Sequence, residues 1–317
     1  MAEATPLSLT NRRHPAAAQR LRVRATYASL AVAVLLIAAK FVAWVGTGSV
    51  ALLSSLVDSL VDAAASLVNF FAVRHAATPA DREHRFGHGK AEPLAVLGQS
   101  AFITGSAMLL LAEAVRRLIS PARVENPPAG IAVMIFSIVV TIGLVLYQRH
   151  VVRRTGSIAI TADELHYRSD LVLNLSVIAA LVVGSALDIP ILDPLFGAAI
   201  GIWIVYSAVR LARLSLFQLM DQELPDDERE KIRAIAQSHP DVVAAHDLRT
   251  RVAGPTAFIQ IHIEMNGTLS LIRAHEISDE VEAELRAAYP NAEVMIHQDP
   301  EGIEEARSHF PRRVAAG

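Results

Sequence analysis

Apolar residues fall into six long runs, near residues 26–46, 50–73, 92–115, 129–148, 160–187 and 191–216. Each run is about long enough, as a helix, to cross a hydrocarbon layer of about 30 Å. After about residue 221 the pattern changes and the chain becomes charged. There 226–238 reads as a helix and 242–252 as a strand. The stretch FIQIHIEM alternates Ile259, Ile261 and Ile263 with Gln260, His262 and Glu264, the period of a half-buried strand. Residues 270–289 read as an amphipathic helix and 292–298 as a last strand. The expected architecture is six transmembrane helices followed by a small α+β domain. The first apolar run is too long for a cleaved signal peptide and lacks its small-residue cleavage pattern.

Composition agrees with a membrane chain. Of 317 residues, 52% are hydrophobic and 19% charged, more apolar than a soluble protein of this length. A net charge of -3 gives no sign of a nucleic-acid partner. The chain has no cysteine, which excludes disulfides and thiolate chemistry, so any metal must be held by nitrogen and oxygen.

Positive residues in the short connections set an orientation. Arg12, Arg13, Arg20, Arg22 and Arg24 precede the first run. Arg74, Arg82, Arg85 and Lys90 separate the second and third, and Arg149, Arg153 and Arg154 follow the fourth. The GTGS and LDIP turns carry neither Lys nor Arg. The positive-inside rule then places both termini and the C-terminal domain in the cytoplasm, against the opposing Arg116, Arg117 and Arg123.

Within this apolar frame two carboxylates are out of place. Asp58 and Asp62 lie in the middle of the second run, four residues apart and so on one helix face, about 6 Å apart along the axis. One charge at mid-membrane costs about 2.5–3.5 kcal/mol on insertion scales, and two like charges cost more unless a cation or protons neutralise them. A protonated pair fixing helix packing would explain them alone. The pattern recurs, however: His166 and Asp170 have the same spacing in the fifth run. Two helices each offering such a pair supply the four nitrogen and oxygen ligands that tetrahedral Zn²⁺ takes.

A helical DxxxD facing HxxxD within six spans resembles the signature of the cation diffusion facilitator family. DREHRFGHGKAE (Asp81 to Glu92), HYRSD (His166 to Asp170), MDQELPDDER (Met220 to Arg229), AHDLRTR (Ala245 to Arg251) and IHQDP (Ile296 to Pro300) extend the likeness over about residues 20–300, to the bacterial zinc and ferrous-iron exporter branch. The resemblance implies a homodimeric antiporter of the bacterial inner membrane, exporting divalent metal in exchange for protons. It also implies a division into a cytoplasmic tail (1–25), a six-helix membrane domain (26–220), a cytoplasmic αββαβ metallochaperone-like domain (221–300) and a C-terminal tail (301–317).

Further site residues follow only from the resemblance. Asp81, His84 and His88 match a second, interfacial metal site, although by themselves they read as a solvated loop. His246, His262, His275, His297 and Asp299 match a cytoplasmic metal cluster whose aspartate bridges two ions. Lys90 and Asp221 match a charge interlock between the third and sixth helices. His75, His150 and His239 match no ligand position, and HEISD at His275 lacks the second histidine of a zinc-protease motif. No histidine-rich loop separates the fourth and fifth helices.

Other features read as structural. Lys40, beside Trp44, is expected to snorkel to the membrane interface, and Gly197 with Gly201 to form a close-packing face. The donor set favours Zn²⁺, leaves Cd²⁺ and Fe²⁺ open, and suits Mn²⁺ less. An intramembrane metal-dependent hydrolase and a membrane metal sensor are the rival readings. The first lacks a general base or nucleophile beside the ligands, and the second leaves mid-membrane ligands unexplained. The sequence holds no GxxxxGK[ST] phosphate loop.

Overall fold

The computed structural model describes residues 15–48, 50–119, 128–187 and 192–302. Arg12, Arg13, Arg123, the LDIP turn and the C-terminal tail after 302 lie outside the described residues. The chain divides into two compact units, with the boundary near residue 222.

Among the described residues the first unit holds six long helices: α1 (Pro15–Thr47), α2 (Val50–Ala76), α3 (Ala91–Ile119), α4 (Pro128–Thr155), α5 (Ile158–Leu187) and α6 (Leu192–Leu219). At 1.5 Å per residue each spans about 40 Å or more. Among the described residues, five are long and apolar enough to cross a membrane. The other, α5, carries Asp163, Glu164, Arg168 and Asp170 in its first half, before the sequence runs LVLNLSVIAALVVGSAL. Outward faces stay apolar: Val42, Leu109, Val139 and Ile202 are exposed, as a lipid-facing surface requires.

Small residues decide how closely two of these helices approach. A Cβ built at Gly201 of α6 would lie 2.8 Å from the Leu111 side chain of α3, and one at Gly197 would lie 3.8 Å from Ala114 Cβ. The glycine face expected from the sequence therefore packs on α3. At the ends of the same pair, Lys90 Nζ lies 2.9 Å from Asp221 Oδ1 and 3.4 Å from the Leu219 carbonyl, so it also draws the last turn of α6 toward α3. Both partners are about two-fifths exposed, and exposed pairs contribute little stability.

The deeply buried polar groups are another matter. Arg22 of α1 donates to Glu92 of α3 at 2.7 Å, and Ser157, just before α5, donates to the other Glu92 oxygen at 3.0 Å. Both charged side chains are nearly inaccessible, so Arg22 is a structural strut as well as a topology charge. Asp163 is fully buried and accepts from Ser29 of α1 and from Gln148 of α4.

The second unit runs α7 (Asp226–Ser238), β1 (Ala244–Ala253), β2 (Thr256–Met265), α8 (Leu271–Ala288) and β3 (Ala292–Pro300). The strands form one sheet in the order β1-β2-β3. Gly254, at φ +59°, turns the two-residue link between β1 and β2, a conformation that L side chains rarely adopt. Helix α8, N-capped by Ser270, whose Oγ accepts from the Arg273 amide, connects β2 to a parallel β3. Ile259, Ile261 and Ile263 of β2 are buried, as are Ile232 of α7 and Ile277, Val281 and Leu285 of α8. The alternation read from FIQIHIEM holds, with Gln260, His262 and Glu264 on the more open face.

The buried Arg22–Glu92 pair yields a stability prediction. Glu92→Ala strands the Arg22 guanidinium and should cost about 3–5 kcal/mol, read as a lower melting temperature of detergent-solubilised protein. Arg22→Met with Glu92→Met, which removes both charges, should recover most of that loss.

Candidate metal centres

The membrane centre is built by helical spacing. Asp62 comes from α2, and His166 and Asp170 come from successive turns of α5. One ligand atom from each lies within 4.8 Å of the others. His166 Nε2 is 3.1 Å from Asp62 Oδ1 and 3.8 Å from Asp170 Oδ2. Despite the short distance this buried nitrogen makes no hydrogen bond of acceptable geometry. A buried imidazole nitrogen left without a hydrogen bond is costly, and here it faces two carboxylates, as a metal-coordinating nitrogen does.

Asp58 stands outside that trio. It lines the same cavity of about 580 Å³, together with Asp62, His166, Asp170 and Lys40. The four residues expected from the sequence thus share one chamber between the helices, with three drawn together and Asp58 one α2 turn away.

Lys40 departs from its expected place. Nζ donates to the Ser55 carbonyl at 3.1 Å and to Ser59 Oγ at 2.6 Å. The side chain reaches across to α2, where serine oxygens next to the acidic face accept its hydrogen bonds.

The loop between α2 and α3 holds Asp81, His84 and His88 within ligand distance of one another. Asp81 Oδ1 accepts the backbone N–H groups of His84 at 2.7 Å and Glu83 at 2.9 Å. The His84 amide above all, then the Glu83 amide and the two imidazoles, holds this carboxyl below the usual carboxylate range. It therefore stays ionised and available to a cation as the pH falls toward that range. His88 is buried, with Nε2 3.4 Å from Asp81, and its ring meets those of His84 and His75 at 4.5 Å each.

In the C-terminal unit the sheet register does the assembling. His262 pairs with His297 across the parallel β2–β3 ladder, and Glu264 with Asp299. The expected last strand continues to Pro300, so His297 and Asp299 share one face. The Asp299 carboxylate is buried and lies 2.9 Å from His262 Nδ1, 3.1 Å from His246 Nε2 and 3.2 Å from His297 Nε2. His246 Nε2 is, like that of His166, a buried nitrogen without an adequate hydrogen bond.

His275 is not brought to this group. It is exposed on α8, 3.7 Å from Asp279. Glu264, which the sequence placed on the polar face of the strand but not among the ligands, joins instead through His246 Nδ1 at 3.0 Å. Its position two residues after His262 on a strand was the available signal. His239 binds Glu280 at 2.7 Å and stands apart from the metal centres.

Residues 26–220 match the cation efflux transmembrane domain, and residues 224–301 match the cytoplasmic domain of cation efflux proteins. The chain belongs to the cation efflux family. It is 49% identical over 281 residues to the cation-efflux pump FieF of Cronobacter sakazakii and 50% identical to FieF of Serratia proteamaculans. In both cases the match covers 89% of this chain and 93% of the relative. The solved metal-bound C-terminal domain of the CzcD transporter from Thermotoga maritima is 32% identical, covering 25% of this chain and 93% of that one, with a TM-score of 0.24. The protein is a multi-pass membrane transporter for metal efflux, not an enzyme, which removes the hydrolase reading.

The soluble cluster predicts a measurable ligand effect. Ligands that bind only the folded state stabilise it in proportion to the logarithm of their concentration. Zn²⁺ should raise the melting temperature of the full-length protein, and Asp299→Ala, which removes the carboxylate shared by three imidazoles, should abolish most of the part due to this cluster.

Proposed function

We propose that the protein exports Zn²⁺ from the cytoplasm in exchange for protons, as a homodimer in a bacterial inner membrane with both termini cytoplasmic. The observation that carries this reading is the Asp62–His166–Asp170 trio, whose buried Nε2 faces two carboxylates inside a chamber walled by transmembrane helices. Asp58 from the same chamber completes a four-ligand set of three carboxylates and an imidazole. One imidazole favours Zn²⁺ or Cd²⁺ and admits Fe²⁺.

Proton coupling follows from ligand chemistry. Carboxylates and imidazole must be deprotonated to take a metal, so binding on the cytoplasmic side releases protons. When the helices rock to open the chamber outward, a more acidic exterior reprotonates the same groups and expels the metal. The proton gradient alone then drives export.

The soluble cluster regulates and does not carry the ion. His246, His262, His297 and Asp299 form it within one protomer, and the five-residue set closes only if His275 is supplied from elsewhere, such as a second copy. Metal held there would tighten the dimer and bias the membrane conformation. The Asp81, His84 and His88 loop is a weaker metal-collecting site near the helix ends, and Lys90 with Asp221 keeps α3 and α6 together as they move. The division into a tail (1–25), membrane domain (26–220), metal-binding domain (221–300) and tail (301–317) serves this scheme.

Three measurements test it. Asp62→Ala should abolish Zn²⁺ flux in proteoliposomes while the protein stays folded, and normal flux would end the assignment. An imposed pH gradient should change both the rate and the extent of Zn²⁺ movement, with opposing proton movement reported by an internal dye. Zinc flux indifferent to the gradient would make the protein a uniporter. His262→Ala with Asp299→Ala should keep flux but weaken metal-dependent dimer stability.

A further inference from the structure

Among the described lining of the membrane chamber, Lys40 is the charged residue that the ligand set leaves unused. Helix α1 presents Leu36 and Lys40, one turn apart, to the same cavity as Asp58, Asp62, His166 and Asp170. The ammonium is held there by the Ser55 carbonyl and by Ser59 Oγ, and Ser59 is itself buried and adjacent in sequence to Asp58. A lysine tethered by neutral oxygens beside three carboxylates is placed to influence them without occupying the ligand positions.

We propose that Lys40 is a built-in counter-ion of the transport chamber that makes the metal-loaded site electrically neutral and keeps metal binding weak enough for release. The inference rests on reading Asp58, Asp62, His166 and Asp170 as the transport site. The three carboxylates carry three negative charges, of which a divalent cation offsets two and Lys40 the third. Without Lys40 the loaded chamber keeps a net negative charge at membrane depth, where charge is costly. Lys40 also repels the incoming dication, and that repulsion is strong because the surroundings are of low dielectric constant. The same charge therefore sets two quantities: how tightly metal is held, and how readily the loaded protein changes conformation.

Charge and hydrogen bonding can be separated by substitution. Lys40→Gln keeps an N–H donor for Ser55 and Ser59 but removes the charge, whereas Lys40→Arg keeps the charge. In proteoliposomes, Lys40→Gln should lower the KM for Zn²⁺ on the order of tenfold and lower maximal flux several-fold, because metal is held too tightly. Lys40→Arg should restore both parameters toward wild type. Ser59→Ala, which removes one tether and no charge, should leave KM near wild type.

Wild-type KM and maximal flux in folded Lys40→Gln would overturn the proposal, as would Lys40→Arg behaving like Lys40→Gln. A fall in maximal flux at unchanged KM would make Lys40 a structural strut and overturn it as well. If Lys40→Gln does not fold, Lys40→Met provides the same neutral test, and failure of both to fold also returns the strut. Asp62→Ala measured in parallel keeps the two readings distinct: normal flux there refutes the transport site itself, while loss of flux there with an unaffected Lys40→Gln refutes only the counter-ion.

Discussion

Taking a carboxylate out of water is the constraint around which the helical unit is arranged. The cost of an unpaired charge at depth is several kcal/mol, and the structure meets it in three ways. Glu92 has a buried arginine and a serine hydroxyl. Glu164 has Arg149 at 2.8 Å, with Arg168 at 3.7 Å. Asp163 accepts from the neutral donors Ser29 and Gln148. Asp62 and Asp170 differ from all of these: their near neighbour is an imidazole whose nitrogen is out of hydrogen-bonding line. Glu92 and Glu164 are paired within the protein, whereas Asp62 and Asp170 face the chamber.

The two units reach a similar local chemistry through different backbones. On α5 the 3.6-residue period stacks His166 above Asp170, and α2 brings Asp62 across. In the sheet, parallel register sets His262 beside His297 and Glu264 beside Asp299, with His246 arriving from β1. Both arrangements leave a buried Nε2 at 3.1 Å from a carboxylate without a hydrogen bond. The membrane site is walled by packed helices. The cluster sits on a hydrogen-bonded sheet, which suits a ligand that stays. The proposed scheme, with transported metal in one unit and regulating metal in the other, draws on that difference in backbone.

Much of this was legible in the residues alone. Hydropathy runs marked the long helices because lipid demands continuous apolar length, and alternation marked β2 because one of its faces is buried. The i, i+4 spacings of Asp58 with Asp62 and His166 with Asp170 put each pair on one face, since helical geometry is local. The motifs of the second unit pointed to His246, His262, His297 and Asp299 through their likeness to a family.

What required the fold were the contacts between elements distant in sequence. Spacing could not tell that Asp62 meets His166 while Asp58 stays a turn away, because that depends on the relative height of α2 and α5. Nor could it tell that Lys40 turns inward: a lysine near a helix end snorkels by default, and only the nearness of Ser55 and Ser59 on α2 offers a better set of acceptors. Arg22 counted as a topology charge until Glu92, 70 residues away, was placed against it. His275 fitted a motif, yet α8 carries it to an exposed position beside Asp279, while Glu264, which fitted none, reaches His246. Local periodicity determined which residues share a face; the packing of helices and the register of strands decided which faces meet.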